Sequence, residues 1–137
     1  MADVVVDASV WVSLLSGGDR NHEPTVRWFR RRIEEVGLLV APILVLAEVA
    51  GAVSRVTRSP AVAHRGVATI RRLSAVRLLS VESRLGERAA SLAADLRLRG
   101  ADAVYVAMAE RLRVPLITWD AEQRAGASRV VATAAPE

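Results

Sequence analysis

Short unbroken apolar runs alternate along the chain with longer stretches in which apolar residues recur at a helical period. Val4–Val6 is such a run, ends at Asp7 and reads as a buried strand. Ala8–Leu15 reads as helical and stops at the breaker Ser16-Gly17-Gly18. A charged amphipathic helix is expected from about Glu23 to Val36, with Pro24 suited to its first turn and Gly37 just past its end. Leu38–Val40 forms a second candidate strand. A long apolar helix follows from about Pro42 to Arg58, and Ser59-Pro60 breaks it and opens another that runs to about Ser74. Val76–Val81 is a third candidate strand, and residues 84–99 form a helix closed by Gly100. Asp102–Leu112 is a short alanine-rich helix, Leu116–Thr118 a strand and Arg129–Ala132 a last one, with a frayed tail from about Thr133 to Glu137.

Strands that alternate with helices imply an α/β sandwich in which a mostly parallel sheet is covered on both faces. With 137 residues, no internal repeat and no linker, the chain reads as one domain with a core large enough to need no disulfide. The longest mostly apolar stretch, residues 36–54, carries Gly37, Pro42, Glu48 and Gly51, which suits a buried strand and helix rather than a membrane span. The start, MADVVVDAS, lacks the basic and apolar regions of a secretory leader. The absence of cysteine excludes a disulfide framework, a thiolate zinc site and a thiol nucleophile, and agrees with a cytoplasmic setting.

Four acids interrupt this apolar pattern. Glu48 stands in LLVAPILVLAEVAGAV as the sole ionisable side chain between Glu35 and Arg55, and helical spacing brings it only Leu44, Val45, Gly51 and Ala52. A buried carboxylate without a partner costs several kcal/mol or gives up its charge, so its partner must come from another segment or from outside the chain. Asp7 ends the first strand, Asp102 stands in GADAVYVAMAE with only Tyr105 as an ionisable neighbour before Glu110, and Asp120 ends PLITWD. Helix Asp102–Leu112 advances roughly 15 Å and the extended return to Asp120 spans up to roughly 23 Å, so these two acids can share one end of the sheet. Asp7 joins them if its strand runs parallel. Each aspartate also stands where an aspartate caps a helix, and Asp120 has Gln123 in capping-box register.

Taken together the four suggest more than capping. Two carboxylates about 5 Å apart repel by roughly 3 kcal/mol at an effective dielectric of 20, so a gathered quartet requires a counter-charge. An all-oxygen set suits a hard divalent cation, Mg²⁺ or Mn²⁺, rather than zinc. The basic residues add a second hint: all 19 are arginine, and with 15 acids the formal charge is +4. The corresponding pI of about 11.1 suits a polyanionic partner, although an arginine-for-lysine bias also follows from GC-rich coding. Arg30, Arg31 and Arg32, or Arg97 and Arg99, are candidate phosphate contacts, although any single cluster reads more readily as a solvated helix face. Trp11, Trp28, Trp119, Tyr105 and Phe29 are too few for a broad base-stacking platform.

In order and spacing, Asp7 in VVVDASVWV, Glu48 in LAEVAGAV, and Asp102 and Asp120 in GADAVYVAMAERLRVPLITWD resemble the acidic quartet of PIN-domain ribonucleases, above all the VapC-like toxins of type II toxin–antitoxin pairs. Ser9 and Thr118 match hydroxyl positions that the family favours. The resemblance implies a PIN-like α/β/α fold and a Mg²⁺-dependent endoribonuclease in which metal-activated water attacks the phosphodiester. Asp7 and Asp102 would be direct ligands, with Glu48 and Asp120 completing the metal and catalytic site. It further implies an RNA substrate such as tRNA or rRNA, a cognate antitoxin and a homodimer. Alternatives within the same fold are an RNA-processing nuclease unconnected with toxins and a PIN module that binds RNA or protein without cutting.

Other functions fit less well. A dehalogenase-like phosphatase wants a second Asp where Ser9 stands and a catalytic lysine, and a receiver domain wants the same lysine. No G-x-S-x-G elbow accompanies His22 or His64, and no glycine-rich phosphate loop is present.

Overall fold

The computed structural model describes residues 3–137. Its elements in chain order are β1 (Val4–Val6), α1 (Ala8–Leu15), α2 (His22–Glu34), β2 (Leu39–Pro42), α3 (Val45–Thr57) and α4 (Pro60–Arg72). These are followed by β3 (Val76–Leu79), α5 (Ser83–Leu96), α6 (Gly100–Leu112), β4 (Leu116–Ile117), α7 (Ala121–Ala127) and β5 (Thr133–Ala134). All strand pairs are parallel and the order is β3-β2-β1-β4-β5, as the α/β reading expected.

That order decides where a site can form. The chain winds from β1 through β2 to β3, then crosses back to build β4 and β5 on the other side of β1. Right-handed crossovers therefore place α1–α4 on one face and α5–α7 on the other. The strand order reverses between β1 and β4, and the crevice beyond their carboxyl ends is where open parallel sheets bind ligands. Asp7 follows β1 directly, and Thr118 to Asp120 follow β4.

β1, β2 and β4 are buried residue after residue, the pattern of strands covered on both faces. Beneath them α6 contributes Ala103, Tyr105, Val106, Ala107, Met108 and Ala109 to the core. On the opposite face Trp11 is fully buried, its ring 5.0 Å from that of Phe29, which also meets Trp28 edge-on at 5.1 Å. The apolar stretch 36–54 divides into β2 and α3, and among the described residues no helix is long and apolar enough to cross a membrane.

Four local expectations need correction. Pro42 ends β2 instead of starting α3: it lies past the two β1–β2 pairs, where no strand needs its missing N–H, and α3 begins at Val45. Gly100 does not close α5. The helix ends at Leu96 on a left-handed Arg97 (φ 56°), and Gly100 is the first residue of α6. The last strand is not Arg129–Ala132, because the N–H groups of Val130 and Val131 both donate to Ala127 O and wind that segment onto the end of α7. The strand falls at Thr133–Ala134 instead, where β4 accepts it through Thr118 N to Ala134 O (3.0 Å). The tail is consequently not frayed; it forms β5 and buries Pro136.

Candidate active site

Asp7, Glu48, Asp102 and Asp120 line a single cleft of about 440 Å³ at the carboxyl edge of the sheet. Each arrives on a different element. Asp7 is the N-cap of α1, its Oδ2 accepting from Ser9 N at 3.0 Å, and Asp120 caps α7 by accepting from Glu122 N (2.9 Å) and Gln123 N (3.1 Å). Capping and cleft membership thus coexist in these two. Asp102 is no cap; it sits in the first turn of α6, whose N-cap is Arg99. Glu48 lies in the first turn of α3 rather than deep in a helix, as the later start of α3 dictates.

Glu48 finds its partner across the sheet. The Tyr105 hydroxyl, buried on α6 one turn beyond Asp102, donates to Glu48 Oε1 at 2.7 Å. Among the described residues no arginine forms an ion pair with it. Burial pushes the Glu48 carboxyl above its ordinary value, the Tyr105 bond opposes this, and the negative charges of Asp7 and Asp102 add to the rise. Asp102 is likewise pushed up, first by burial and then by Asp7 and Asp120, against the pull of Arg99. Tyr105 is raised far beyond the phenol range, by burial and then by the Glu48 charge beside it, and stays protonated as a donor. Two acids raised first by burial and further by neighbouring acids indicate a site short of positive charge.

The hydroxyls fall into place around Asp7. Thr118, fully buried at the end of β4, donates to Asp7 Oδ2 at 3.0 Å. Its Oγ lies 2.8 Å from Gln123 Oε1 and 3.2 Å from Ser9 Oγ, so its single proton serves one acceptor at a time. Ser9 Oγ in turn accepts from Trp119 N at 3.1 Å, stitching β4 to α1 across the switch point. Both protein donors to Asp7 use Oδ2, which leaves Oδ1 without a hydrogen-bond donor among the described residues.

Three cleft residues were not assigned their places by sequence reasoning. Arg99 donates through Nε to Asp102 Oδ2 and through Nη2 to Asp120 Oδ2, both at 3.0 Å. It was a candidate phosphate contact; here it bridges two acids of the quartet. Its spacing of three from Asp102 was readable, whereas the reach to Asp120 needs the fold. Arg55 lines the same cleft two turns beyond Glu48, and a Cβ on Gly51 would come within 3.2 Å of its Nη1, so Gly51 makes room for the guanidinium. Asp19, in the turn after the Gly17-Gly18 pair, also lines the cleft, accepting from Asn21 N at 2.7 Å and Ser13 Oγ at 3.1 Å. A lone Asp in a glycine turn carries no signal beyond the turn itself.

The donor set fits a hard cation, with one qualification of the expected quartet. Among the described residues no three acidic or imidazole groups converge on one coordination point. Mg²⁺ does not require that many, because it keeps several waters and takes one or two carboxylates plus substrate phosphates.

The PIN domain profile matches residues 4–128. The chain belongs to the PIN-domain family. No curated relative matches the sequence. Among solved structures this PIN domain is similar to Mycobacterium tuberculosis VapC20, described as a sarcin-ricin loop cleaving toxin, with TM-score 0.77, 22% identity, and 90% of this chain and 94% of that one covered. A toxin–antitoxin complex from Klebsiella pneumoniae is similar at TM-score 0.70 and 18% identity, covering 98% of both chains. PAE2754 from Pyrobaculum aerophilum is similar at TM-score 0.67 and 25% identity, covering 97% of this chain and 92% of that one.

Proposed function

We propose that this PIN domain is a divalent-metal-dependent endoribonuclease, the toxin of a type II toxin–antitoxin pair, with Asp7, Glu48, Asp102 and Asp120 as its catalytic and metal-binding residues. The observation that carries this reading is the gathering of four carboxylates, widely separated in sequence, in one cleft at the switch point, where Glu48 and Asp102 are pushed up by burial and by their acidic neighbours. The VapC and toxin–antitoxin structures among its neighbours support the biological role and a cognate antitoxin as partner.

Asp7 and Asp102 would hold the cation, Mg²⁺ or in its place Mn²⁺, with Asp120 completing the set. Bound there, a divalent cation neutralises charge on the phosphoryl oxygens and lowers the pKa of water. Glu48 has one oxygen tied to Tyr105, so Oε2 is left to orient a water and accept its proton. Thr118 and Ser9 N fix the Asp7 carboxylate so that it need not reorganise when charge arrives. Arg55 at the cleft wall, and Arg99 once released from the acids, are placed to take phosphate oxygens of the RNA backbone.

The test is RNA 5′-end mapping after brief induction, alongside cleavage of purified RNA with Mg²⁺ and with chelator. The reading expects new ends that require Mg²⁺ or Mn²⁺ and vanish in Asp102→Asn. Cleavage that survives both chelator and Asp102→Asn would overturn it. A second reading, a PIN module that holds RNA without cutting, draws on the Arg99 bridge that already satisfies Asp102 and Asp120. It expects retained RNA and no new ends under either condition.

A further inference from the structure

A second cavity, of about 390 Å³, opens beside the acidic cleft and is lined by Asn21, Pro24, Arg27, Arg31, Trp119 and Glu137. Its volume falls in the range of small-ligand sites, roughly 300–1,000 Å³. Hydrogen bonds tie its lining to that of the cleft. Trp119 stands between Thr118 and Asp120, and its N–H donates to Ser9 Oγ, which belongs to the cleft. Asn21 donates its N–H to Asp19 Oδ1, another cleft residue, at 2.7 Å.

The chemistry of this second cavity differs from that of the first. The indole of Trp119 is only partly buried, and its position is set by Nε1 donating to Thr25 Oγ1 at 2.8 Å, itself donating to Asn21 O at 2.7 Å. Arg27 and Arg31 stand one turn apart on α2, both exposed, and among the described residues neither has an ion-pair or hydrogen-bond partner. Glu35, in reach of Arg31 by helical spacing, is taken by Arg32. A fixed aromatic face beside two uncommitted guanidinium groups is a combination that binds a base by stacking and its phosphate by charge.

We propose that Trp119 with Arg27 and Arg31 forms a nucleotide subsite, in which Trp119 stacks on the base next to the scissile phosphate and the two arginines hold the following backbone phosphate. The proposal rests on the nuclease reading for what lies in the acidic cleft. It gives this chain one stacking position rather than a platform, in keeping with its few aromatics. Glu137 also lines the cavity and opposes any phosphate placed against it, which limits the subsite to a single nucleotide step.

The test uses the full chain carrying Asp102→Asn, a fluorescein-labelled single-stranded RNA of mixed sequence, and anisotropy across a salt series. Stacking on one aromatic side chain predicts that Trp119→Leu weakens binding by about tenfold, while Trp119→Phe retains most of it. The pair Arg27→Gln and Arg31→Gln is expected to lower the salt slope by roughly 0.7 to 1.4, the value for one or two single-strand phosphate contacts. In the chain with Asp102 intact, both changes should raise KM with little change in kcat. Unchanged affinity and salt slope in these variants, while the unsubstituted chain still cleaves RNA with Mg²⁺, would overturn the subsite and leave the nuclease reading standing. No RNA binding or cleavage by the unsubstituted chain would overturn both. Loss of binding to a partner protein but not to RNA would assign the cavity to that partner and overturn the proposal.

Discussion

Replacing Asp102 by Asn should make the metal-free protein more stable and the metal-bound protein less so. The carboxylate is largely buried, at 14% side-chain exposure, and its one ion pair among the described residues is with an Arg99 that is 78% exposed. Such a pair contributes at most about 1 kcal/mol, and the asparagine carbonyl can keep the hydrogen bond. Against it stand the cost of burying the charge and, after it, repulsion from Asp7 and Asp120, together roughly 2–3 kcal/mol on the scale of unit charges at an effective dielectric of 20. In chelator the variant should therefore gain about 1–2 kcal/mol, or about 4–8 °C in Tm for a chain of this size. A cation at 100 times its Kd adds about 2.7 kcal/mol to the parent protein. If removing a ligand weakens the ion by the hundredfold that outer-shell losses reach, the same Mg²⁺ adds only about 0.4 kcal/mol to the variant. Thermal or urea unfolding with chelator and with Mg²⁺ should then show the order of stability narrow and invert. A variant that is less stable in chelator and responds to Mg²⁺ as the parent does would refute the idea of acids crowded around a cation site.

Other changes test separate parts of the account. Because Glu48 and Asp102 are raised, the folded metal-free chain binds more protons than the unfolded one just above the ordinary carboxylate range. Their contribution to stability is complete below the unfolded values and is lost as pH rises through the folded ones, so urea midpoints in chelator should fall over that window. Mg²⁺ affinity, which needs the same groups ionised, should rise over it. Thr118→Val removes the buried donor to Asp7 Oδ2 and should cost about 1–3 kcal/mol, with metal-dependent cleavage falling together with it. Trp11→Ala should cost about 3–5 kcal/mol in urea unfolding. Trp11→Phe should cost well under that, since among the described residues Trp11 Nε1 has no hydrogen-bond partner to lose. Arg113→Gly, at φ 58°, should relieve about 1 kcal/mol of left-handed strain, partly offset by the entropy of the added glycine, and leave Tm unchanged or slightly raised.

The fold was legible where burial writes itself into the residue order. β1, β2 and β4 are covered on both faces, so Val4–Val6, Leu39–Val40 and Leu116–Ile117 read as unbroken apolar runs. The four acids stood out for the same reason: in segments that must be buried, a charge needs a purpose. The end of the chain was harder to read. Val130 and Val131 have the stronger strand propensity, yet the turn after α7 takes their N–H groups, and the β4 edge pairs with the plainer Thr133–Ala134. Propensity lost to tertiary pairing there. Arg97 took the left-handed position for which Gly100 was expected, and Gly100 instead opens the next helix, with Asp102 in its first turn. The hydrogen bond from Tyr105 to Glu48 and the Arg99 bridge were out of reach for a similar reason. The first joins α3 to α6, which meet only once the sheet reverses its winding at β1, and the second depends on the reach of a side chain from the start of α6 to the end of β4.

The central claim is that these carboxylates form one cation site. It is tested most directly by anomalous scattering at the manganese edge from crystals of the protein grown with Mn²⁺. The account predicts a peak in the cleft within bonding distance of Asp7 and Asp102, with the Arg99 guanidinium moved off Asp102. A cleft without a peak at saturating Mn²⁺, Arg99 still bridging Asp102 and Asp120, would contradict it.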